Sequence, residues 1–135
     1  MKKILFAICL VFLLSACSAK DGDNGGAGYI SEDKYEGDEL DIVRLINHRI
    51  KYVQEGNESK YMELFYEESP INGLPRYKLQ RVKLTSDIEI REQRRFYIAV
   101  VQAEDIMETG EMFNSQYVFL KPKETDEGWQ IADID

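Results

Sequence analysis

The chain has little cysteine, histidine, proline or positive charge. Its 135 residues include two cysteines, one histidine and three prolines, and 25 acidic side chains outnumber 17 basic ones, for a formal net charge of −8. So few cysteine and histidine side chains cannot supply a zinc site of the usual type. The acidic balance argues against nucleic-acid binding, because polyphosphates are bound by basic surfaces. The apolar share of 44% excludes a wholly disordered chain, and the length favours one domain.

Hydrophobic residues are concentrated in one run near the N-terminus. Residues 4–14 are all apolar and follow Lys2 and Lys3. A basic start followed by a short apolar run is typical of a secretion signal. A membrane-spanning helix would need about 20 apolar residues, which this run does not reach. We therefore expect residues 1–16 to be a signal peptide.

The apolar run ends in a short motif, Leu14-Ser15-Ala16-Cys17. It resembles the bacterial lipobox, in which a leucine and two small residues precede the cysteine that receives a lipid. The resemblance implies cleavage before Cys17 and a lipoprotein of the bacterial cell envelope, anchored to the membrane through Cys17 and facing outside the cytoplasm. The alternative is an ordinary signal peptide that has a cysteine near its end.

Cleavage at this point would change the composition of the chain. Removing 16 of the 135 residues leaves 119, and the loss of Lys2 and Lys3 takes the net charge from −8 to −10. With Cys9 removed and Cys17 lipidated, no disulfide is expected. Residues 17–37 are rich in glycine and charged side chains, which predicts a lipidated cysteine followed by a flexible acidic tether. Residues 38–135 are then the folded domain.

The pattern after the tether predicts an α+β domain. Apolar residues at steps of three and four predict a helix that starts with Asp38 as N-cap and stops at Gly56, followed by a second helix over residues 58–66. Alternating apolar and polar residues predict strands, the second covered on both faces, at 82–90, 94–108, 111–121 and 129–134. We expect a curved antiparallel sheet of about four strands packed on N-terminal helices.

Two segments of this domain resemble a known superfamily. The first is the helix–Gly56-Asn57–helix entry, with Tyr61 and Phe65 following, and the second is the final strand, Gly128-Trp129-Gln130-Ile131. Both are similar to the nuclear transport factor 2-like (SnoaL-like, cystatin-like) superfamily. The resemblance implies a cone-shaped roll with a pocket between the sheet and the long helix. Ketosteroid isomerases, dehydratases and non-catalytic proteins share this fold, so the fold alone does not determine the function.

Six side chains are candidates for lining such a pocket. Three amides interrupt apolar faces, and each either contacts a ligand or is a structural amide bonded to backbone. Three aromatic side chains either line the pocket or pack in the core. The candidates are Asn47, Gln54 and Gln102 among the amides, and Tyr61, Tyr117 and Trp129 among the aromatics.

The sequence identifies no catalytic residue, metal ligand or cofactor. His48 falls off the apolar stripe of the first helix, which predicts a surface position. Glu104 and Asp105 lie near a strand end and are interpreted as solvated charges. The sequence therefore predicts a lipid-anchored extracytoplasmic binding or accessory domain without catalysis, whose partner is a small apolar ligand or an envelope protein. The alternatives are a small isomerase- or dehydratase-type enzyme and a structural module of an envelope assembly.

Overall fold

The computed structural model describes residues 28–135, so the predicted signal peptide and Cys17 lie outside the described residues. The helices are α1 (Gly37–Glu55) and α2 (Glu58–Met62), and the strands are β1 (Leu79–Leu84), β2 (Glu89–Glu92), β3 (Phe96–Met107), β4 (Met112–Pro122) and β5 (Gln130–Ile134). The strand order is β1–β3–β4–β5, and β2 pairs with the half of β3 that β1 leaves free. Every pair is antiparallel. The predicted α+β class is confirmed, with five strands instead of about four.

The strand predicted over residues 82–90 is interrupted. Between β1 and β2 the chain leaves the ladder at residues 85–88. The Thr85 N–H donates to the Gln102 carbonyl at 2.9 Å, and the Ser86 hydroxyl accepts from the Gln102 N–H at 2.9 Å. A side-chain oxygen thus replaces a backbone acceptor, which ends regular pairing at this point.

Helix α1 forms because its apolar residues share one face. Its buried apolar residues are Ile42, Val43, Ile46, Ile50 and Val53. The helix stops where predicted, at Gly56, which adopts a left-handed conformation. The N–H of Gly56 then bonds the carbonyl of Val53 at 3.2 Å, and the N–H of Asn57 bonds that of Tyr52 at 2.9 Å, as in a Schellman motif. Within residues 28–135, no helix is long and apolar enough to cross a membrane.

The start of α1 differs from the sequence prediction. The helix begins at Gly37, so Asp38 lies in the first turn and is not the N-cap. One Asp38 carboxylate oxygen instead accepts from Lys121 Nζ and Trp129 Nε1, each at 2.9 Å. Asp38 therefore connects α1 to the end of the sheet.

The second helix is shorter than predicted. It ends at Met62, because the following residues join the sheet. The Tyr66 N–H donates to the Ile131 carbonyl, and the Ile131 N–H donates to the Leu64 carbonyl, both at 2.8 Å. Backbone pairing with β5 thus replaces the last helical turn.

The core lies between α1 and one face of the sheet, here called the inner face. On β3 the inner-face residues are Ala99, Val101, Ala103, Asp105 and Met107, all of them buried. On the opposite face of β3, Ile98 and Val100 are half-buried and Gln102 is exposed. The prediction that this strand is covered on both faces is therefore wrong.

Residues 28–36, here called the strap, pack on the domain. The sequence assigns them to the flexible tether, but Tyr29, Ile30 and Tyr35 are partly buried against the core and Ser31 is buried. Tyr29 and Ile30 lie between α1 and β1 and border a groove on each side. The packed part of the chain thus includes residues upstream of the boundary predicted at residue 38.

Candidate functional site

A buried ion pair joins α1 to the inner face of the sheet. Arg49 points inward from α1, and its Nη1 lies 3.0 Å from Oδ2 of Asp105 on β3. Both side chains are almost completely buried, at 2% and 1% exposed. The interpretation of Asp105 as a solvated charge is therefore wrong, because its position in β3 directs it to the inner face between Ala103 and Met107.

Tyr117 on β4 completes this cluster. Its hydroxyl accepts from Arg49 Nη1 at 2.6 Å and donates to Oδ1 of Asp105 at 2.7 Å. The guanidinium carbon of Arg49 also lies 5.4 Å from the centroid of the Tyr117 ring. Both oxygens of the Asp105 carboxylate are thus hydrogen-bonded.

The environment fixes the protonation states of two members of the cluster. Burial raises the pKa of Tyr117 well above its ordinary value; Arg49 lowers it, and Asp105 raises it further. Burial by itself would lower the pKa of Arg49, but Tyr117 and Asp105 reverse that effect, and the net pKa shift is upward. Near neutral pH the cluster therefore holds a charged guanidinium and a neutral phenol.

The other edge of the Arg49 guanidinium is less occupied. Its Nη2 donates to the hydroxyl of Tyr77 at 3.1 Å. Its Nε is buried and has no hydrogen-bond partner among the described residues. Buried polar groups almost always have a partner, from the protein or from water. This edge, formed by Nε and Nη2, is therefore the part of the cluster with unused hydrogen-bonding capacity.

Two small cavities lie next to Tyr77. An inner cavity of about 110 Å³ is lined by Arg49, Tyr61, Ile71, Gly73, Pro75, Tyr77 and Ile134. An outer cavity of about 210 Å³ is lined by Tyr77, Lys78, Met107, Glu108, Thr109 and Glu111. Tyr77 borders both cavities.

Exposed aromatic surface lies at the same end of the sheet. Phe113 is 50% exposed, and its ring centroid lies 6.3 Å from that of Tyr77, which is 36% exposed. In the β3–β4 ladder Phe113 is paired with Asp105, so it extends the inner face beyond the buried cluster. We call the Arg49–Asp105–Tyr117 cluster, its two cavities and these two rings the candidate site.

The three predicted pocket amides are not brought together. Asn47 is buried and bonds the backbone of Ile30 on the strap, at 2.8 and 2.9 Å. Gln54 is exposed and donates to the Gln80 carbonyl at 3.1 Å. Gln102 is exposed on the opposite face of the sheet and donates to Gln116 at 2.8 Å. For Asn47 and Gln54 the arrangement is that of a structural amide bonded to backbone.

The three predicted aromatic residues are all buried, in different surroundings. Tyr61 borders the inner cavity and packs on Phe65, with ring centroids 4.9 Å apart. Tyr117 belongs to the ion-pair cluster. Trp129 donates to Asp38 near the start of α1 and borders a separate surface groove with His48. Of the six candidates, Tyr61 and Tyr117 belong to the candidate site.

Arg49, Asp105 and Tyr77 are not among the site residues predicted from the sequence. Two of them carried a usable signal. Arg49 stands three residues after Ile46 and four before Val53, which puts a charge on the apolar stripe of α1. Asp105 shares the parity of Ala99, Val101 and Ala103 in β3. A pair of opposite charges on facing apolar surfaces predicts a buried ion pair.

The described residues contain no group of three or more side chains that could hold a metal ion. His48 is exposed, as predicted, and its ring stacks on Tyr52 at 5.8 Å. It is therefore not part of the candidate site.

Comparison with known proteins adds no relative. No protein-family model, curated protein or solved structure matches this chain. The assignment of a function therefore depends on the residues and contacts described above.

Proposed function

We propose that this chain is a lipoprotein of the bacterial cell envelope whose domain binds a small molecule outside the cytoplasm without catalysing a reaction. The ligand lies at the candidate site, against Tyr77 and Phe113. The observation that carries this proposal is the arrangement around Asp105. A buried charged cluster with both carboxylate oxygens engaged stands beside two cavities and an exposed aromatic pair.

We propose that the domain has the cone-shaped fold of the nuclear transport factor 2-like superfamily. Two helices precede an antiparallel sheet, α1 covers its inner face, and the chain ends in the strand that follows Trp129. These features support the resemblance drawn from Gly56-Asn57 and Gly128-Trp129. Sites between a sheet and a covering helix are common places for small-molecule binding.

Binding is favoured over catalysis because Asp105 is not free to act as a base. A general base must reach the proton that it removes within hydrogen-bond distance. Asp105 is 1% exposed, and each of its oxygens already accepts a hydrogen bond, one from Arg49 and one from Tyr117. Because the carboxylate is buried, a substrate proton could reach it only after neighbouring groups had moved.

An isomerase-type enzyme is the second candidate, and one observation favours it. Asp105 is an inward carboxylate bonded to Tyr117, and enzymes of the resembled superfamily place a carboxylate or histidine inside the cone, often opposed by a tyrosine or a second acid. Asp105→Asn and Tyr117→Phe test this alternative when the purified full chain is assayed for exchange of α-protons in cyclic ketones. Exchange that Asp105→Asn abolishes would contradict the proposal of binding without catalysis.

The lipid anchor is proposed from the motif that ends at Cys17. Gly28 is the first residue that the structure describes on the domain, and it follows Cys17 by 11 positions, which can span at most about 40 Å. We propose that the domain stands within that distance of the membrane. Cys17→Ala should release the protein from the membrane fraction, and Cys9→Ala is the matched control that should not. Membrane retention of the Cys17→Ala variant would contradict the anchor.

Substitution of Phe113, whose ring is exposed, tests the proposed binding site. The full chain is purified in mild detergent, and small molecules that copurify are identified by mass spectrometry. Phe113→Ser should reduce their amount at least severalfold. Ile90→Ser, a change at another exposed apolar residue (37% exposed, on β2), should leave it unchanged. Equal retention by both variants would contradict a site at Phe113. Crosslinks from position 113 to a protein in place of a small molecule would indicate an assembly module.

A further inference from the structure

The hydrogen bonds of Arg49 are unevenly distributed over its guanidinium. Nη1 has two partners, whereas the edge formed by Nε and Nη2, here called the open edge, has one. An arginine side chain has five N–H donors in a fixed planar arrangement. Nη1 donates to both Asp105 and Tyr117. Nη2 donates to Tyr77, and Nε donates to no group among residues 28–135. On the Nε–Nη2 edge the one hydrogen bond with good geometry is therefore that from Nη2 to Tyr77, and the Tyr61 side chain also interacts with the guanidinium.

We propose that the ligand of the candidate site is a small carboxylic acid whose carboxylate displaces the Tyr77 hydroxyl and accepts from Nε and Nη2 of Arg49. This inference rests on the proposed function and adds the chemical class of the ligand. The Tyr77 hydroxyl then occupies the position at Nη2 that the ligand takes, and it moves away when the ligand binds.

The geometry of the open edge favours a carboxylate ligand, because Nε and Nη2 present two parallel N–H donors. Carboxylates accept such donors through both oxygens, and these bidentate charge-assisted bonds are stronger than bonds to neutral acceptors. The Tyr77 hydroxyl is a single oxygen and engages Nη2 alone. A carboxylate would satisfy the buried Nε as well, which removes the one unpartnered buried side-chain atom found in the described residues.

Asp105 and Tyr117 act as positioning residues in this arrangement. They hold Nη1 from the opposite side, so the guanidinium plane is fixed before a ligand arrives. Oδ2 of Asp105 accepts from Arg49, and Oδ1 accepts from the Tyr117 hydroxyl. A preorganised donor pair binds more tightly because less side-chain freedom is lost on binding.

The cavities limit the size of the acid. The inner cavity measures about 110 Å³, and its walls include Tyr61, Ile71 and Pro75. An apolar cavity of about 150 Å³ holds benzene, so an acid with a ring needs the added space that displacement of the Tyr77 side chain would open. Tyr77 also borders the outer cavity of about 210 Å³. Tyr77 lies just before β1, outside any helix or strand, and is 36% exposed.

The test compares benzoate with benzamide on the full chain in detergent micelles. Protein amide NMR shifts at residues 71–78 and 107–113 report binding at the site. We expect benzoate to bind at least about tenfold more tightly than benzamide, because the neutral amide lacks the second charge-assisted bond. Tyr77→Phe should tighten benzoate binding about threefold to tenfold, because the ligand no longer displaces a hydroxyl from Nη2. Tyr52→Phe, the same change at a residue outside the site, should have no effect.

The outcomes separate this inference from the proposed function. Equal affinity for benzoate and benzamide, or no effect of Tyr77→Phe, would overturn the carboxylate assignment while a site at residues 71–78 and 107–113 still stood. The absence of shifts in both segments with either compound would overturn both the inference and the proposed site. Benzoate shifts confined to other residues would likewise overturn both.

Discussion

Asn47 hydrogen-bonds both backbone groups of Ile30. The Ile30 N–H donates to Oδ1 of Asn47 at 2.8 Å, and Nδ2 of Asn47 donates to the Ile30 carbonyl at 2.9 Å. A single side chain on α1 thus satisfies both backbone hydrogen-bonding groups of this residue. This contact holds the strap, which is the C-terminal part of the predicted tether, on the domain.

Asn47→Ala should release the strap. Loss of the two bonds leaves the backbone of Ile30 unpartnered at this point, and we expect a destabilisation of about 1–3 kcal/mol. Urea unfolding of the full chain measures this change, and hydrogen exchange of the Ile30 amide should accelerate. Gln54→Ala removes another amide-to-backbone bond of α1, but at an exposed position, and should change stability by less than about 0.5 kcal/mol. Unchanged exchange at Ile30 would contradict this role of Asn47.

Gly28 is required where the strap meets β1. Its φ of 88° lies in the left-handed region, and a Cβ at this position would overlap the Gln80 carbonyl oxygen and the Arg81 side chain. Gly110 has the same φ of 88°, but a Cβ added there would meet none of the described atoms within 4 Å. Gly110→Ala therefore measures backbone strain alone, about 1–2 kcal/mol, and Gly28→Ala adds a steric clash. Ile30 amide exchange should accelerate in Gly28→Ala and stay unchanged in Gly110→Ala; equal behaviour of the two variants would argue against close strap packing.

The strap shows where local composition misleads. Residues 28–36 are short of large apolar side chains, so the sequence indicates a tether. In the structure these residues instead pack on the domain through the two hydrogen bonds between Asn47 and Ile30 and through the partial burial of Tyr29, Ile30 and Tyr35. Asn47 and Ile30 are 17 residues apart in sequence, so periodicity within one helix or strand contains no information about their contact.

The helices and strands were largely predictable because each depends on a local pattern. Short-range spacing predicts the apolar stripe of α1, its end at Gly56 and the β3–β4 hairpin at Thr109-Gly110. The candidate site was not predictable in the same way. Arg49 and Asp105 are 56 residues apart, and charged side chains are interpreted as surface residues unless a partner is known.

The Arg49–Asp105 ion pair should respond differently to single and double substitution. Arg49→Met leaves an unpaired buried carboxylate and should destabilise the domain by about 3–5 kcal/mol. Arg49→Met combined with Asp105→Leu removes both charges and should recover part of that loss. Urea unfolding of the unsubstituted chain, the single variants Arg49→Met and Asp105→Leu, and the double variant gives the coupling free energy between the two side chains. The exposed pair Arg91–Glu89, with side chains 76% and 66% exposed, is the control and should show little coupling. Additive effects at Arg49 and Asp105 would contradict a buried pair.

The Trp129–Asp38 contact should give an acid transition in fluorescence. The hydrogen bond from Lys121, followed by that from Trp129, lowers the pKa of Asp38 below its ordinary 3.8, although burial acts in the opposite direction. For a carboxyl group with a lowered folded-state pKa, the stabilisation is present above the ordinary value and is lost as the pH falls through the folded value. Trp129 is the single tryptophan of the chain, so its emission reports this contact. We expect constant emission from neutral pH down to 3.8 and a change below it.

Two variants isolate the Asp38 carboxyl group as the source of that transition. Asp38→Asn cannot titrate, so the change in Trp129 emission should disappear. Asp87→Asn alters an exposed carboxyl group between β1 and β2 and should leave the transition in place. Far-UV circular dichroism of the same samples separates the local transition from acid unfolding, in which the secondary structure is also lost. A transition that persists in Asp38→Asn, or that has its midpoint above pH 3.8, would contradict the hydrogen bond between Asp38 and Trp129.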